Sequence, residues 1–176
     1  MQHYLILTLI SDDKPGIVER LAHIIQQHEG NWLESRLSHL AGKFAGIVQV
    51  AVPDAQRSAL TDALNALAGE GLKLMVETAE AGERTGFRAF RFTVAGADRA
   101  GIVYEIAQAF AERQINMGEL ETDCSSMPWS GEPLFQANGI VEVPTSADMD
   151  ELQDELDAIA DELAMDIRLD EYYPHN

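Results

Sequence analysis

The chain has 176 residues, of which 46% are hydrophobic, and its 12 basic and 30 acidic side chains give a formal net charge of -18. This balance argues against direct binding to nucleic acid, because affinity for a phosphate backbone depends on its neutralisation by Lys and Arg. A single cysteine, Cys124, excludes a disulfide within the chain. Together with the absence of a basic leader and of any apolar run of about 18 residues, it predicts a cytoplasmic protein without a membrane span.

The acidic excess is concentrated in the second half of the chain. Residues 1–80 carry 6 basic and 10 acidic side chains, a net charge of -4, whereas residues 81–176 carry 6 and 20, a net charge of -14. A role in transcription would therefore have to pass through another protein.

Hydrophobic periodicity predicts a βαββαβ order in the first half. Short apolar or alternating runs indicate strands, and Ile17, Leu21 and Ile25 follow the spacing of an amphipathic helix. The predicted elements are a strand at 3–10, a helix at 15–28, strands at 32–40 and 45–52 joined near Gly42, a helix at 56–69 and a strand at 71–78.

The second half repeats the first at an offset of 85 residues. The residues that recur without a gap are Thr8, Asp13, Gly16, Ile17, Val18, Ala22, Asn31 and Glu34, which return as Thr93, Asp98, Gly101, Ile102, Val103, Ala107, Asn116 and Glu119. The repeated elements are a strand at 88–95, a helix at 100–113, strands at 116–124 and 134–143, a helix at 147–164 and a strand at 165–171, with a longer loop at 125–133.

This order predicts an α+β chain of two ferredoxin-like modules. Each module should be a four-stranded antiparallel sheet with both helices on one face. We place the first module at 1–79, the linker at 80–87 and the second module at 88–176.

The turn between the first strand and the first helix is the strongest candidate for a ligand site. Free N–H groups at the start of a helix attract a carboxylate, here near Gly16 and Ile17, and Gly16 has no Cβ to obstruct a ligand. Asn31, expected to enter the next strand beside this turn, offers a donor and an acceptor. Asp12 or Asp13 would receive an ammonium group.

A purely structural interpretation of the same residues stays open. Asp13 and Asp98 would then be helix N-caps, each stabilising by roughly 1 kcal/mol, and Gly16 and Gly101 would serve packing. The acidic helix at 147–164 is open to two interpretations as well, as a solvated face or as a docking surface for a basic partner.

Catalysis and metal binding lack the residues that they need. The five histidines show no ligand spacing with acidic or cysteine partners, and Cys124 has no flanking base. No acid/base or nucleophile–base pair is visible, so we expect no enzyme activity, no metal and no cofactor.

The stretch Asp-Asp-Lys-Pro-Gly-Ile-Val at 12–18, followed by a helix and Asn31, resembles the ACT domain, a ligand-binding regulatory module of amino acid metabolism. The resemblance covers nearly the whole chain as two copies. The opening residues 3–6, the stretch 11–18 and Glu34-Ser35-Arg36-Leu37 are similar to the family of glycine cleavage system transcriptional repressors.

The resemblance implies a non-catalytic repressor that responds to a small amino acid such as glycine and engages a LysR-type transcriptional activator without contacting DNA. In the second copy, Ala100 replaces the proline of the motif, a departure that bears on whether both copies bind a ligand. The implied ligand-binding residues are Asp12, Asp13, Lys14, Pro15, Gly16, Ile17 and Asn31 in the first copy, and Asp98, Arg99, Gly101, Ile102 and Asn116 in the second.

The same fold permits a second function without a ligand. A sheet with helices on one side leaves its other face to be covered, by the other copy or across a homodimer. A scaffold protein that pairs through its sheets and binds no metabolite is therefore the alternative hypothesis.

Overall fold

The computed structural model describes residues 2–79 and 85–173, and the chain divides into two compact units, residues 1–83 and 84–176. The first unit contains β1 (Gln2–Asp12), α1 (Ile17–Gln27), β2 (Asn31–Leu40), β3 (Lys43–Pro53), α2 (Asp54–Ala66), a 3-10 helix (Leu67–Glu70) and β4 (Lys73–Ala79). The second contains β5 (Phe87–Ala97), α3 (Ile102–Glu112), β6 (Asn116–Ser126), β7 (Pro133–Pro144), α4 (Met149–Leu163) and β8 (Met165–Glu171).

Both sheets have the same topology. Their strand orders are β2-β3-β1-β4 and β6-β7-β5-β8, and every neighbouring pair is antiparallel. The predicted pair of ferredoxin-like modules is confirmed. Of the predicted linker at 80–87, residues 80–84 lie outside the described residues, and Phe87 already begins β5.

Strand alternation and helix amphipathicity build the core of the first module. Leu7 of β1 is fully buried, as are Leu21 of α1 and Leu60 of α2. Burying a leucine side chain stabilises the fold by about 1.5–3 kcal/mol relative to leaving it in water. Because side chains alternate along a strand, the intervening residues of β1 lie on the sheet face away from the helices.

Aromatic residues replace leucines in the core of the second module. The fully buried ring of Phe92 in β5 meets the ring of Phe110 in α3 edge to face, with centroids 5.6 Å apart. Such a pair adds about 0.5–1.5 kcal/mol beyond the burial of its area.

The first helix of each module begins two residues later than the repeat predicts. Gly16 and Gly101 precede these helices with φ of 91° and 88°, a left-handed conformation that cannot belong to a right-handed helix. Pro15 therefore lies in the turn and not in the first helical turn. The alternative interpretation of Asp13 and Asp98 as N-caps is wrong as well, because Gly16 and Gly101 occupy the cap positions of α1 and α3 and no side chain caps either helix.

Different chain lengths connect the last helix and last strand of the two modules. In the first module, residues 67–72 separate α2 from β4 and form the 3-10 helix and Gly71, whose φ is 88°. In the second, only Ala164 stands between α4 and β8, with φ of 52°. The predicted helix at 56–69 is thus an α-helix that ends at Ala66 and tightens into a 3-10 turn.

The central hairpins differ between the modules. Ala41 and Gly42 make a two-residue turn with φ of 49° and 78°, both positive as a type I′ turn requires. The longer predicted loop of the second module is confirmed, although β6 and β7 extend further than expected, to Ser126 and from Pro133. Trp129 at its tip is 99% exposed.

Candidate functional site

The β1–α1 turn of the first module and the β5–α3 turn of the second are held in the same way. The Asp13 N–H donates to the Gly42 carbonyl at 3.0 Å, and the Asp98 N–H donates to the Pro133 carbonyl at 3.0 Å. Each turn is therefore tied to the start of a neighbouring strand, β3 in the first module and β7 in the second. This backbone bond gives Asp13 and Asp98 a structural role that does not involve their carboxylates.

A pocket of about 110 Å³ opens beside the turn of the first module. It is small compared with the roughly 300–1,000 Å³ that sites for drug-sized ligands occupy, so its size suits a small metabolite. The pocket is lined by Ser11, Asp12, Lys14, Pro15, Ile17 and Arg20 from the turn and α1, and by Leu67, Glu70, Gly71 and Leu72 from the α2–β4 connection.

The charged side chains of this lining balance each other. Lys14 and Arg20 are basic, and Asp12 and Glu70 are acidic. Nη1 of Arg20 donates to Oε2 of Glu70, which bridges α1 and the 3-10 helix across the pocket. In a chain with a net charge of -18, a lining with no net charge is a local exception.

Asp12 is held ionised by a neighbouring strand. Its Oδ1 accepts a hydrogen bond from Nζ of Lys43, the residue that pairs with it across β1 and β3. That bond, followed by the charges of Lys43 and Lys14, lowers the pKa of the Asp12 carboxyl from its usual 3.8. The Asp12 carboxylate is therefore an anion at neutral pH.

Apolar groups close the rest of the pocket. Leu67 and Leu72, which are buried in the module core, line the pocket together with Pro15 and Ile17. Gly71, in its left-handed conformation, turns the chain between the 3-10 helix and β4. A small ligand would therefore meet charged groups together with an apolar wall.

In the second module, side chains of the same motif satisfy each other. Nη1 of Arg99 donates to Oε1 of Glu105 at 2.9 Å, and Nη2 of Arg99 donates to Oε2. This bidentate contact lowers the pKa of the Glu105 carboxyl below its usual 4.5 and raises that of Arg99. A Cβ placed on Gly101 would lie 3.9 Å from Oε1 of Glu105, so this pair stands directly beside the helix start.

The expectation that Asn31 lies beside the turn is wrong. Asn31 pairs with Ala51, which pairs with Tyr4, at the opposite end of β1 from Asp12. Eight residues of strand at about 3.4 Å each separate the two levels by roughly 27 Å. Asn116 has the equivalent place, and its Nδ2 donates to Oε2 of its cross-strand partner Glu142 at 2.7 Å.

The structure thus brings together part of the predicted site. Asp12, Lys14, Pro15 and Ile17 line the pocket, whereas Asp13 and Gly16 shape the turn without lining it. A Cβ on Gly16 would have no heavy atom within 4 Å, so the protein requires glycine there for its φ and not for a close protein contact. In the second module, Asp98 and Ile102 keep the equivalent turn positions and Arg99 is engaged by Glu105.

Sequence reasoning missed Arg20 and Glu70. The signal for Arg20 was present in the repeat, since the position 85 residues later holds Glu105 and reverses the charge. Glu70 lies 50 residues from Arg20 in a segment with no counterpart in the second module, so no pattern in the sequence links the two.

Other chemistry finds little support in the described ranges 2–79 and 85–173. No group of three or more His, Cys, Asp and Glu side chains there is arranged to hold a metal ion. The Cys124 thiol is exposed, and desolvation and then the charges of Asp98 and Asp123 raise its pKa above 9.0. None of the helices in these ranges is long and apolar enough to cross a membrane.

Comparison with known proteins finds a family match for the first module. Residues 3–77 match the sequence model of the ACT domain family. No curated protein matches the chain significantly in sequence.

Two solved structures are similar to the chain over almost its whole length. An unknown protein from Galdieria sulphuraria is 26% identical, with a TM-score of 0.82 and coverage of 98% of this chain and 100% of that one. A protein described as a candidate glycine cleavage system transcriptional repressor is 22% identical, with a TM-score of 0.73 and coverage of 97% of both chains. The first module therefore matches the ACT domain family in sequence, and the whole chain shares the fold of these two solved structures.

Proposed function

We propose that this chain is a non-catalytic regulatory protein that responds to a small amino acid and acts on transcription through a protein partner. The observation that carries the proposal is the pocket at the β1–α1 turn of the first module, where a basic and an acidic side chain, Arg20 and Glu70, face the same small space. Amino acids are zwitterions, so a site that offers both charges suits their common part. The ACT match of residues 3–77 supports this choice of ligand.

Action through a partner is supported by charge. The net charge of -14 on residues 81–176 opposes contact with DNA and favours encounter with a basic protein surface. Not every acidic side chain at α4 is available for this role. The carboxylate of Asp148, just before α4, caps the helix by accepting from the Asp150 N–H at 2.9 Å, and Glu155 accepts from Arg113, which follows α3. We propose a LysR-type activator as the partner, as the resemblance of residues 3–6, 11–18 and 34–37 to the glycine cleavage system transcriptional repressors implies.

Two measurements test the proposal. Titration calorimetry of the full chain with free glycine, alanine and serine tests the response to amino acids, and binding of the immobilised chain to a purified LysR-type activator, with and without free glycine, tests the partner. We expect heat from at least one amino acid and an activator affinity that changes when that amino acid is present. Absence of both effects would contradict the proposal.

A ligand-independent scaffold is the second candidate, and one observation favours it. The helix-free face of the first sheet is apolar at its centre, where Ile47 and Met75 flank Thr8 and are 48% and 54% exposed. Exposed apolar patches of this kind are used in protein–protein contacts. This candidate predicts that no amino acid changes the melting temperature of the chain.

A further inference from the structure

We infer that the β6–β7 loop of the second module, residues 127–132, is a protein-docking element, in which Trp129 inserts into an apolar pocket of a partner protein whose rim carries Lys and Arg side chains. This inference rests on the proposed function, because it assigns the surface through which the chain engages its partner. It does not depend on an amino-acid ligand.

The side chain of Trp129 is not used by the fold of its own chain. The residue is 99% exposed, although a large aromatic side chain can bury roughly 150–250 Å² of surface. Its whole apolar area is therefore available to another molecule. Trp is also enriched among the few residues that dominate the binding energy of protein interfaces.

Backbone hydrogen bonds close the loop behind Trp129. The Met127 N–H donates to the Glu132 carbonyl at 2.8 Å, and the Gly131 N–H donates to the Met127 carbonyl at 3.0 Å. Gly131 has a φ of 72°, a left-handed conformation that suits glycine in such a turn. A loop that is ordered before binding loses less conformational entropy in the complex, so Trp129 is presented to a partner at a reduced entropic cost.

The first module makes the equivalent connection without such a loop. Ala41 and Gly42 alone join β2 to β3, whereas six residues lie between Ser126 at the end of β6 and Pro133 at the start of β7. The shared fold therefore does not require the additional residues. A contact with another molecule accounts for them and for the exposed ring that they carry.

The side chains around the base of the loop are acidic. Glu132 belongs to the loop, and Asp123 lies near the end of β6. Asp98 is close as well, because its N–H donates to the carbonyl of Pro133 at 3.0 Å. An apolar anchor thus projects from negatively charged surroundings.

Basic side chains do little to compensate this charge. The sequence contains no Lys or Arg between Arg113 and Arg168, and Arg99, the neighbour of Asp98, is engaged by Glu105. Charge complementarity therefore favours a partner with a basic rim around its apolar pocket. It disfavours a second copy of this chain, whose net charge is -18, and an anionic membrane surface.

Binding of the immobilised full chain to a purified LysR-type activator tests the role of the ring. We expect Trp129→Ala to weaken this binding by roughly tenfold to a hundredfold and Trp129→Phe to have a smaller effect, since it keeps an aromatic ring. The matched control is Tyr173→Ala. Tyr173 is 74% exposed and follows Tyr172, whose N–H donates to the Ala89 carbonyl at the other end of the sheet, roughly 30 Å from the loop. This control should leave the affinity unchanged.

The same binding measurement at two salt concentrations tests the role of the acidic rim. Glu132→Gln should weaken binding by about twofold to threefold at low salt and by less at high salt, because ions screen the attraction between exposed charges. Glu77→Gln removes an exposed carboxylate from β4 of the first module and should have no effect at either concentration.

Fluorine NMR of the chain labelled with 5-fluorotryptophan observes the contact directly. The chain has two Trp residues, and the resonance that is missing from Trp129→Phe belongs to Trp129. We expect this resonance to shift or broaden when the activator is added and to remain unchanged with vesicles of phosphatidylcholine and phosphatidylglycerol. Circular dichroism checks that each variant is folded.

Three outcomes would overturn the inference. Equal affinity of the wild type and Trp129→Ala, or a Trp129 resonance that is unchanged by saturating activator, would do so while action through a protein partner stands. A Trp129 resonance that responds to the vesicles and not to the activator would reassign the loop to a membrane contact. If the activator does not bind the wild type, the partner assigned under the proposed function fails together with this inference.

Discussion

Arg20 and Glu105 occupy equivalent positions 85 residues apart and place opposite charges one turn into the first helix of each module. In the first module, the arginine reaches across a pocket to Glu70 of the 3-10 helix. In the second, the glutamate accepts from Arg99, the residue equivalent to Lys14, so the ion pair forms within the same turn. The two modules therefore share a backbone topology but differ in the charge at this helix position and in the length of the connection before the last strand.

The Arg99–Glu105 pair predicts a pH-dependent stability difference. Because the pKa of Glu105 is lowered in the folded chain, the pair stabilises the fold at pH values above 4.5, and this contribution is lost as the pH falls through the lowered pKa. We expect Glu105→Gln to melt at a lower temperature than the wild type at pH 7 and at the same temperature at pH 2.5. Asp154→Asn, an exposed change on α4, serves as the control; a difference for Glu105→Gln that persists unchanged at pH 2.5 would refute the role of the charge.

Replacing Gly16, whose backbone is left-handed, should lower the stability of the fold through backbone strain alone. Gly16→Ala introduces a Cβ that meets no atom within 4 Å, but an alanine at φ of 91° is disfavoured by about 1–2 kcal/mol. We expect a loss of about 1 kcal/mol in the free energy of unfolding in urea, since alanine also restricts the unfolded chain.

Gly69→Ala is the matched control for this prediction. Gly69 lies in the 3-10 helix, its backbone does not have a positive φ, and a Cβ there also meets open space. This variant should be as stable as the wild type or slightly more stable. Equal stability of the two variants would mean that the turn relaxes without cost.

The sequence predicted the fold well and the site only in part, for a physical reason. Periodicity and the repeat are local or regularly spaced signals, and they located every helix and strand to within a few residues. The position of Asn31 was not predicted because the helix α1 lies between the turn and Asn31 and carries the chain back to the level of Tyr4, at the other end of β1. The contact between Arg20 and Glu70 was not predicted because the two residues are 50 positions apart and Glu70 lies in a segment that the second module does not share.

The burial of the Phe92 ring predicts a large loss of stability in the second module when this ring is removed. It is fully buried and packs edge to face on Phe110, so Phe92→Ala removes apolar contact and leaves a cavity. We expect a loss of about 3–5 kcal/mol in the free energy of unfolding of the second module, measured by urea denaturation. Trp129→Ala deletes a larger ring that is 99% exposed and should change stability by less than about 0.5 kcal/mol. A comparable loss in both variants would contradict the assignment of the core.

The Cys124 thiol should be alkylated slowly, although it is exposed. The thiolate is the reactive form, and desolvation, with further contributions from the charges of Asp98 and Asp123, raises the pKa of this thiol. We expect iodoacetamide to alkylate it at pH 8 more slowly than it alkylates free cysteine. Asp123→Asn removes one of the charges that oppose ionisation and should raise the rate by about twofold, since a charge near the surface acts through a high dielectric. Asp170→Asn, on the far edge strand β8, should leave the rate unchanged. If all three proteins react as fast as free cysteine, the negative charge around β6 does not reach the sulfur, and the acidic surface of the second module has less influence on its surroundings than its net charge suggests.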